Sequence, residues 1–385
     1  MMRGNAPMEV KMPEFKYQRV AGWIRAQVES GFFEEEKRIP GEEELCDRFD
    51  VSRQTVRQAM KILEEEGLVY KIQGSGTYVC PRNGALRKEE KSSIKSVGVL
   101  MNSVNDYIFP QVLKGINDCL YENGYAMRLC ILSQQYDLER EAIRRMIGDR
   151  VSGLIAEPVK SGLPLINREL YCEFAREHPL VFLHRRADGI LESAGCRAGS
   201  IMLDDAGGFW TLAEHLYEKG HRKIAAVCKL DESTGVARYE GYMKFMLEHQ
   251  LEIENEWIFW YSSEDIQTMF TGHKMEWMLE RINGCTAVMC HDDRIAFRLI
   301  QLLRDKGIRV PEDMAVTGFD NSEYASMDIT LTTIVHPQEE LGRRAAQAVL
   351  NLLKESGQDV SFTFPAALRT GRSTDAQAGL DCREE

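Results

Sequence analysis

The sequence predicts an α/β chain: a small helical module closed by a pair of strands, then a larger unit of two doubly wound lobes. With 385 residues, the chain has room for two or three folding units at roughly 100 to 200 residues each. The stretch 81–96 (PRNGALRKEEKSSIKS) is charged, nearly free of apolar residues and flanked by apolar segments, which is linker composition. Beyond it, short apolar runs alternate with amphipathic stretches: SVGVLM then QVLKGINDCLYENGY, MRLCIL then DLEREAIRRMIGD, GLIAEP, LVFLH. Such alternation marks βα units on a parallel sheet. The pattern restarts at FWTLAEHLYEKGH, KIAAVCKL, YEGYMKFMLEHQ and TAVMC, so two similar lobes are expected to face each other across a cleft.

Composition narrows the function. At 44% hydrophobic and 28% charged residues, this is ordinary folded protein. The net charge of -12 means that any nucleic acid must be met by a local basic patch. The ten cysteines include no CxxC pair, which fits neither a zinc site nor a disulfide framework, and reduced thiols point to a cytoplasmic protein. The first residues lack the apolar core of a signal peptide, and no run approaches the roughly 18 apolar residues of a membrane span. An enzyme acting on a small sugar or nucleotide is the alternative reading of a Rossmann-like unit, but GVLMNSVNDYIF lacks GxGxxG, and GxxxxGK[ST], HExxH and GxSxG are missing. No cofactor and no metal are expected.

The amino-terminal module spans 15–80. PGEEELCDRFD sets Leu45 and Phe49 four apart on a helix whose acidic first turn suits the positive end of the helix dipole. Ser52 is a good N-cap for a second helix, RQTVRQAMKILEEEG, with Val56, Ala59, Met60 and Leu63 on one face and Gly67 as its stop. The opposite face carries Arg53, Gln54, Thr55, Arg57, Gln58 and Lys61. Its cations suit phosphates and guanine, and its glutamines suit adenine edges. LVYKIQGSGTYVC then reads as two strands around a Gly-Ser-Gly tip, completing a winged helix-turn-helix. By itself a short helix with three cations is more often a solvated flank than a reader.

The full phrase IPGEEELCDRFDVSRQTVRQAMKILEEEGLVYKIQGSGTYV resembles the DNA-binding domain of the GntR family of bacterial repressors, element for element. The resemblance implies that Ser52, Arg53, Thr55 and Arg57 enter the major groove and that the wing residues Gly74, Gly76 and Thr77 enter the minor groove. Arg38, Gln54, Gln58 and Gln73 complete the candidate DNA-binding set. One position departs from the pattern. Glu43 stands where many members carry arginine, and no DNA contact is carried over there.

From Val97 onward the chain resembles the sugar-binding core of the LacI family, itself similar to periplasmic binding proteins. The phrases that carry this are HLYEKGHRKIAAV, ARYEGYMKFM, HDDRIAFRLIQLLRDKGIRVPEDMAVTGFDNSEYA and LTTIVHPQEELGRRAAQAVL. A GntR reader fused to such a core resembles the arabinose-repressor type. The expected effector domain covers 96–372, one lobe from 96–196 with 336–354 and the other from 197–335 with 355–372. A linker at 81–95, without the hinge helix of LacI-type repressors, joins it to the reader. The resemblance implies a sugar-responsive repressor of carbohydrate-utilisation genes, released from operator DNA by a small sugar, with arabinose favoured, and acting as a homodimer because one reader covers only a half-site.

A sugar site needs aromatic faces and multidentate polar groups in a closing cleft. The candidates at or beyond strand ends are Asn105, Asp106, Tyr107, Phe109, His184, Arg185, Arg238, Asp292, Asp293 and Asp320. By resemblance Arg238, Asp292 and Asp320 fall where the family holds its sugar, and Phe109 where it stacks an aromatic ring. Each has a blander role: helix capping for Asp292 and Asp320, an ion pair for Arg238, packing for His184 and Arg185. Trp260 and Tyr261 read as buried rather than as a wall of the site, and His336 as structural.

Overall fold

A computed structural model of the chain describes residues 16–30, 32–33, 37–66, 68–72, 76–79, 95–104, 107–185, 187, 189–191, 195–355 and 359–375. The candidates Gln73, Gly74, Asn105 and Asp106, the helix stop at Gly67, and the linker up to residue 94 lie outside them. The chain divides into two compact units, 1–93 and 94–385.

In the first unit α1 (Lys16–Glu29), α2 (Glu42–Phe49) and α3 (Arg53–Glu65) precede the strands β1 (Val69–Ile72) and β2 (Gly76–Val79). Val20, Ile24, Leu45, Val56, Leu63, Val69 and Val79 are buried together at the centre. The α2–α3 turn is made by Asp50, at φ 50°, and by Ser52, whose hydroxyl accepts from Thr55 N at 3.3 Å. β1 and β2 pair antiparallel, and Arg38 bridges to Tyr78 on the free side of β2.

The second unit begins with β3 (Ser96–Met101), α4 (Phe109–Glu122), β4 (Ala126–Ile131), α5 (Tyr136–Gly148), β5 (Gly153–Ala156), α6 (Arg168–Glu177), β6 (Leu180–Leu183) and β7 (Ala198–Leu203). It continues with α7 (Asp205–Glu218), β8 (Ile224–Lys229), α8 (Ser233–Glu248), β9 (Ile258–Tyr261), α9 (Gly272–Arg281), β10 (Ala287–Cys290), α10 (Asp293–Asp305) and β11 (Ala315–Thr317). It closes with β12 (Thr333–Ile334), α11 (Gln338–Lys354), β13 (Phe362–Phe364) and β14 (Leu368–Arg369). A six-stranded parallel sheet of order β13-β7-β6-β5-β3-β4 forms one lobe, and a four-stranded parallel sheet of order β11-β10-β8-β9 forms the other. Both sheets are covered on two faces at their centres, so β5, β6 and β10 are apolar throughout, while the edge strand β4 is partly exposed and carries Arg128. Along β3, Val97, Val99 and Met101 pack with α4 and α11, while Leu100 joins α5 and α6 on the other side.

The lobe boundaries expected from sequence need correction. The sequence pattern places 197–203 and 359–364 in the second lobe, yet β7 and β13 hydrogen-bond into the first sheet in the registers Leu180↔Ala198 and Phe362↔Ile201. The crossings between lobes follow these strands rather than precede them, because a strand must finish its ladder before the chain can leave the sheet. α11 returns to the first lobe and packs on α4 closely enough that a Cβ on Gly115 would lie 2.0 Å from Glu339 O, and one on Gly342 2.1 Å from Val112 O.

Candidate functional site

On the first unit α3 presents Arg53, Gln54, Arg57, Gln58 and Lys61 to solvent while Val56, Ala59, Met60 and Leu63 face the core, the division that the helical spacing predicts. Two of its arginines are met by α2: Arg53 pairs with Glu43 at 3.1 Å and Arg57 with Glu42 at 2.9 Å. Glu43, the departure from the family pattern, thus sits beside Arg53. Gly76 has φ 134°, and a Cβ there would lie 2.5 Å from Arg38 Nε, so the bare backbone of the wing makes room for the Arg38 side chain. Thr77 O accepts from Ile39 N at 2.9 Å, which fixes the base of the wing.

In the second unit the carboxyl ends of both sheets face one cavity of about 370 Å³. Arg238 lines it from the second turn of α8 rather than from a strand end. Its guanidinium donates to Asp205 Oδ1 at 2.8 Å, to Asp320 Oδ1 at 3.3 Å and to His291 O, and lies 3.7 Å from the Phe319 ring centroid. Burial opposes its charge, but Asp320 and Asp205 more than compensate and raise its pKa. Burial pushes the Asp205 carboxyl up to about 6 despite Arg238, and raises Asp320 too. Tyr107 reaches across from the loop after β3 and donates to Asp320 Oδ2 at 2.5 Å.

A second buried ion-pair network crosses the cleft, from His184, Arg185 and Glu157 of the first lobe to Lys229 and Glu232 of the second. Arg185 donates to Glu232 Oε1 at 2.7 Å and to Pro158 O at 3.1 Å, with Glu157 Oε1 3.7 Å from its Nε. Lys229 Nζ donates to the same Glu232 oxygen at 2.5 Å. Burial raises the carboxyl of Glu157, but Arg185 and the hydrogen bond from His184 outweigh it and the pKa falls. His184 Nδ1 donates to Glu157 Oε1 at 3.0 Å, and its Nε2 has no partner among the described residues. The rings of His184 and His336 lie 5.0 Å apart. His336 is buried with neither nitrogen partnered among the described residues, and burial holds it well below the usual imidazole range. Asn102 Oδ1 and His291 Nδ1 are likewise buried and unpartnered there. Buried polar atoms are normally satisfied, so this wall has spare hydrogen-bonding capacity for a ligand.

Of the candidates, Tyr107, Phe109, His184, Arg185, Arg238, Asp292 and Asp320 line the cavity. Asp292 also caps α10, accepting from Ile295 N at 2.7 Å. Asp293 is a correction. It is fully buried, does not line the cavity, and its carboxylate accepts from Ser322 N at 2.7 Å, Ser322 Oγ at 3.1 Å and Thr333 Oγ1 at 2.7 Å, so it braces the strand ends instead of meeting a ligand. His336, read from sequence as structural, lines the cavity. Trp260 packs on Tyr239 at 4.7 Å and Tyr261 is buried in the second-lobe core. Sequence reasoning passed over Asn102, Glu157, Asp205, Lys229, Glu232 and His291, all of which line the cavity. Each ends or closely follows β3, β5, β7, β8 or β10, so the strand-end rule already pointed to them.

Among the described residues no helix is long and apolar enough to cross a membrane, and no group of three or more His, Cys, Asp or Glu could hold a metal. Residues 16–79 match the bacterial regulatory proteins of the gntR family, and residues 213–374 match a periplasmic binding protein-like domain. The chain is 33% identical to an arabinose metabolism transcriptional repressor of Geobacillus stearothermophilus, over 89% of this chain and 93% of that protein. It is 29% identical to the protein of the same description from Halalkalibacterium halodurans, over 90% and 92%. The transcription regulator CcpA of Lactococcus lactis superposes with a TM-score of 0.61 at 22% identity, covering 73% of this chain and 99% of that one, a likeness of fold. The chain belongs to the GntR family of bacterial regulatory proteins and is a transcriptional regulator, not an enzyme, with a periplasmic-binding-protein-like unit following its DNA reader.

Proposed function

We propose that this regulator is a sugar-responsive repressor of carbohydrate-utilisation genes, that it grips operator DNA as a homodimer, and that a small sugar in the interlobe cavity releases it. The observation that carries this is the polar wall of the cavity. Its buried cations Arg238, Arg185 and Lys229 are already paired with Asp205, Asp320, Glu157 and Glu232, while imidazole and amide atoms stand unpartnered. Arg294, which also lines the cavity, lies 3.5 Å from the Asp292 carboxylate, so among the described residues the cations of the lining are already matched, and neutral imidazole and amide atoms are left for hydroxyl groups. The cavity volume, about 370 Å³, is at the small end for ligand sites. L-arabinose is the favoured sugar, on the descriptions of the two relatives. Tyr107, Phe109, His184, Arg185, Arg238, Asp292 and Asp320 are the proposed contacts, now joined by His336.

On the reader, Arg38, Ser52, Arg53, Gln54, Thr55, Arg57, Gln58, Gly76 and Thr77 are the proposed DNA-binding set, together with Gln73 and Gly74, which lie outside the described residues. Two readers in one dimer provide the avidity that a single module lacks. Closure of the lobes shifts the readers from their half-site spacing, and reciprocity requires the sugar to bind less tightly to the DNA-bound protein. The test is calorimetric titration of the full chain with a panel of pentoses and hexoses, followed by operator binding with and without each binder. Heat with L-arabinose and loss of operator affinity in its presence are expected. No heat with any sugar, or operator binding indifferent to every sugar that binds, overturns the reading.

A further inference from the structure

The loop after β5 crosses the cleft and docks on the second lobe. Gly162 N donates to Asp231 O at 3.2 Å, and Ser161 Oγ accepts from Ser233 N at 3.0 Å. Lys160 pairs with Glu264. The approach is close: a Cβ on Gly162 would lie 2.5 Å from Leu230 O and 2.8 Å from Glu232 N. Lys160 itself sits at φ 46°, a left-handed conformation that a non-glycine residue adopts only where surrounding contacts hold it. None of Lys160, Ser161, Gly162 and Glu264 lines the cavity, but their docking partners flank Glu232 and Ser263, which do.

We infer that Lys160, Ser161 and Gly162 form a clasp that seals this side of the cavity and limits the effector to a single sugar ring. The inference rests on reading the cavity as the effector site. A ligand that extended past Glu232 and Ser263 would have to displace the clasp, losing an ion pair and three hydrogen bonds between the lobes, the third being that from Ser161 Oγ to Ser233 Oγ at 3.0 Å. A single ring leaves them in place, so the clasp converts closure into a preference for small ligands.

The test uses the full chain as wild type, Lys160→Glu, Glu264→Lys and the double variant in which the charges are swapped. Amide hydrogen exchange at Gly162 and Ser233 is measured without ligand, and calorimetry follows L-arabinose and an arabinose disaccharide. Each single variant is expected to speed exchange at both amides and to narrow the preference for the single ring by about threefold or more, the scale of one partly exposed ion pair turned repulsive. The swapped variant restores both. Unchanged exchange, or exchange that stays fast in the swapped variant, overturns the clasp; faster exchange with an unaltered preference overturns its part in selectivity. If wild type binds neither saccharide, the effector reading and the size limit both fall, while exchange still decides whether the lobes are clasped.

Discussion

The Tyr107 hydroxyl, held on the first lobe, donates to the Asp320 carboxylate of the second at 2.5 Å, with the neighbouring Phe319 carbonyl as a second acceptor 3.0 Å away. Two loops more than two hundred residues apart in sequence are thereby joined directly across the cleft.

Tyr107→Phe removes this bridge and leaves Asp320 Oδ2 short of a donor in a buried setting. Loss of such a hydrogen bond costs about 1–3 kcal/mol, and it falls on the closed form. Effector affinity is expected to drop by about tenfold through a faster off-rate, checked by stopped-flow release of bound sugar. An unchanged off-rate would show that the bridge does not stabilise closure.

Arg238→Ala strands Asp205 and Asp320 in a buried site without their common partner. Removing one member of a buried ion-pair network costs about 3–5 kcal/mol, so this variant is expected to lose effector response together with a substantial part of the stability of the second unit. Urea unfolding of wild type and variant measures the second effect. Pairing the change with Asp205→Asn should recover part of the loss, because one orphaned charge is then neutral.

Asp205 gives stability a specific pH dependence. Its folded-state pKa, raised from 3.8 to about 6, lies above the unfolded value, so the folded protein holds the proton more tightly. That contribution is complete below about pH 4 and is lost as pH rises through about 6. Asp205→Asn cannot lose it. Relative to wild type, the variant is expected to gain on the order of 2 kcal/mol between pH 4 and pH 6, read as the difference between unfolding free energies in matched buffers. A constant difference across that window would contradict the assignment.

Arg57→Ala tests the reader. A base-reading arginine is worth about 1–3 kcal/mol of operator affinity, and its loss should relax sequence preference, whereas a phosphate-only contact would weaken all DNA alike. Anisotropy titrations with operator and scrambled duplex at two salt concentrations separate these outcomes.

Gly76→Ala combines an unfavourable backbone conformation at φ 134° with a contact to Arg38. About 1–2 kcal/mol of stability in the first unit should be lost, along with operator affinity, while effector binding in the second unit is unchanged. A thermal melt with normal operator affinity would remove the wing from the interface.

Much of the fold was legible because both periodicities are strong: apolar runs for strands covered on two faces and a clean apolar stripe on α3. The cavity was half legible. His184, Arg185, Asp292 and Asp320 follow strand ends and carry obvious chemistry. Asn102, Glu157, Lys229 and His291 occupy equivalent positions, but Glu157 and Lys229 acquire meaning only through Arg185 and Glu232, partners that pairing in space supplies and sequence spacing does not. Asp293 shows the converse. It is adjacent to Asp292 in sequence, yet on entering α10 its carboxylate turns toward Ser322 and Thr333 while that of Asp292 caps the helix and lines the cavity. The lobe boundaries were misplaced for a related reason: composition marks where a strand is, but ladder partners decide which sheet owns it.

The return of α11 to α4, backbone to backbone at Gly115 and Gly342, means that the first lobe is assembled from chain lying on both sides of the second lobe in sequence. Neither half can therefore be excised as a free-standing fragment or exchanged for a relative's by a single splice. Protein engineers seeking new inducer responses from this scaffold must graft individual loops, or transplant the sensor whole.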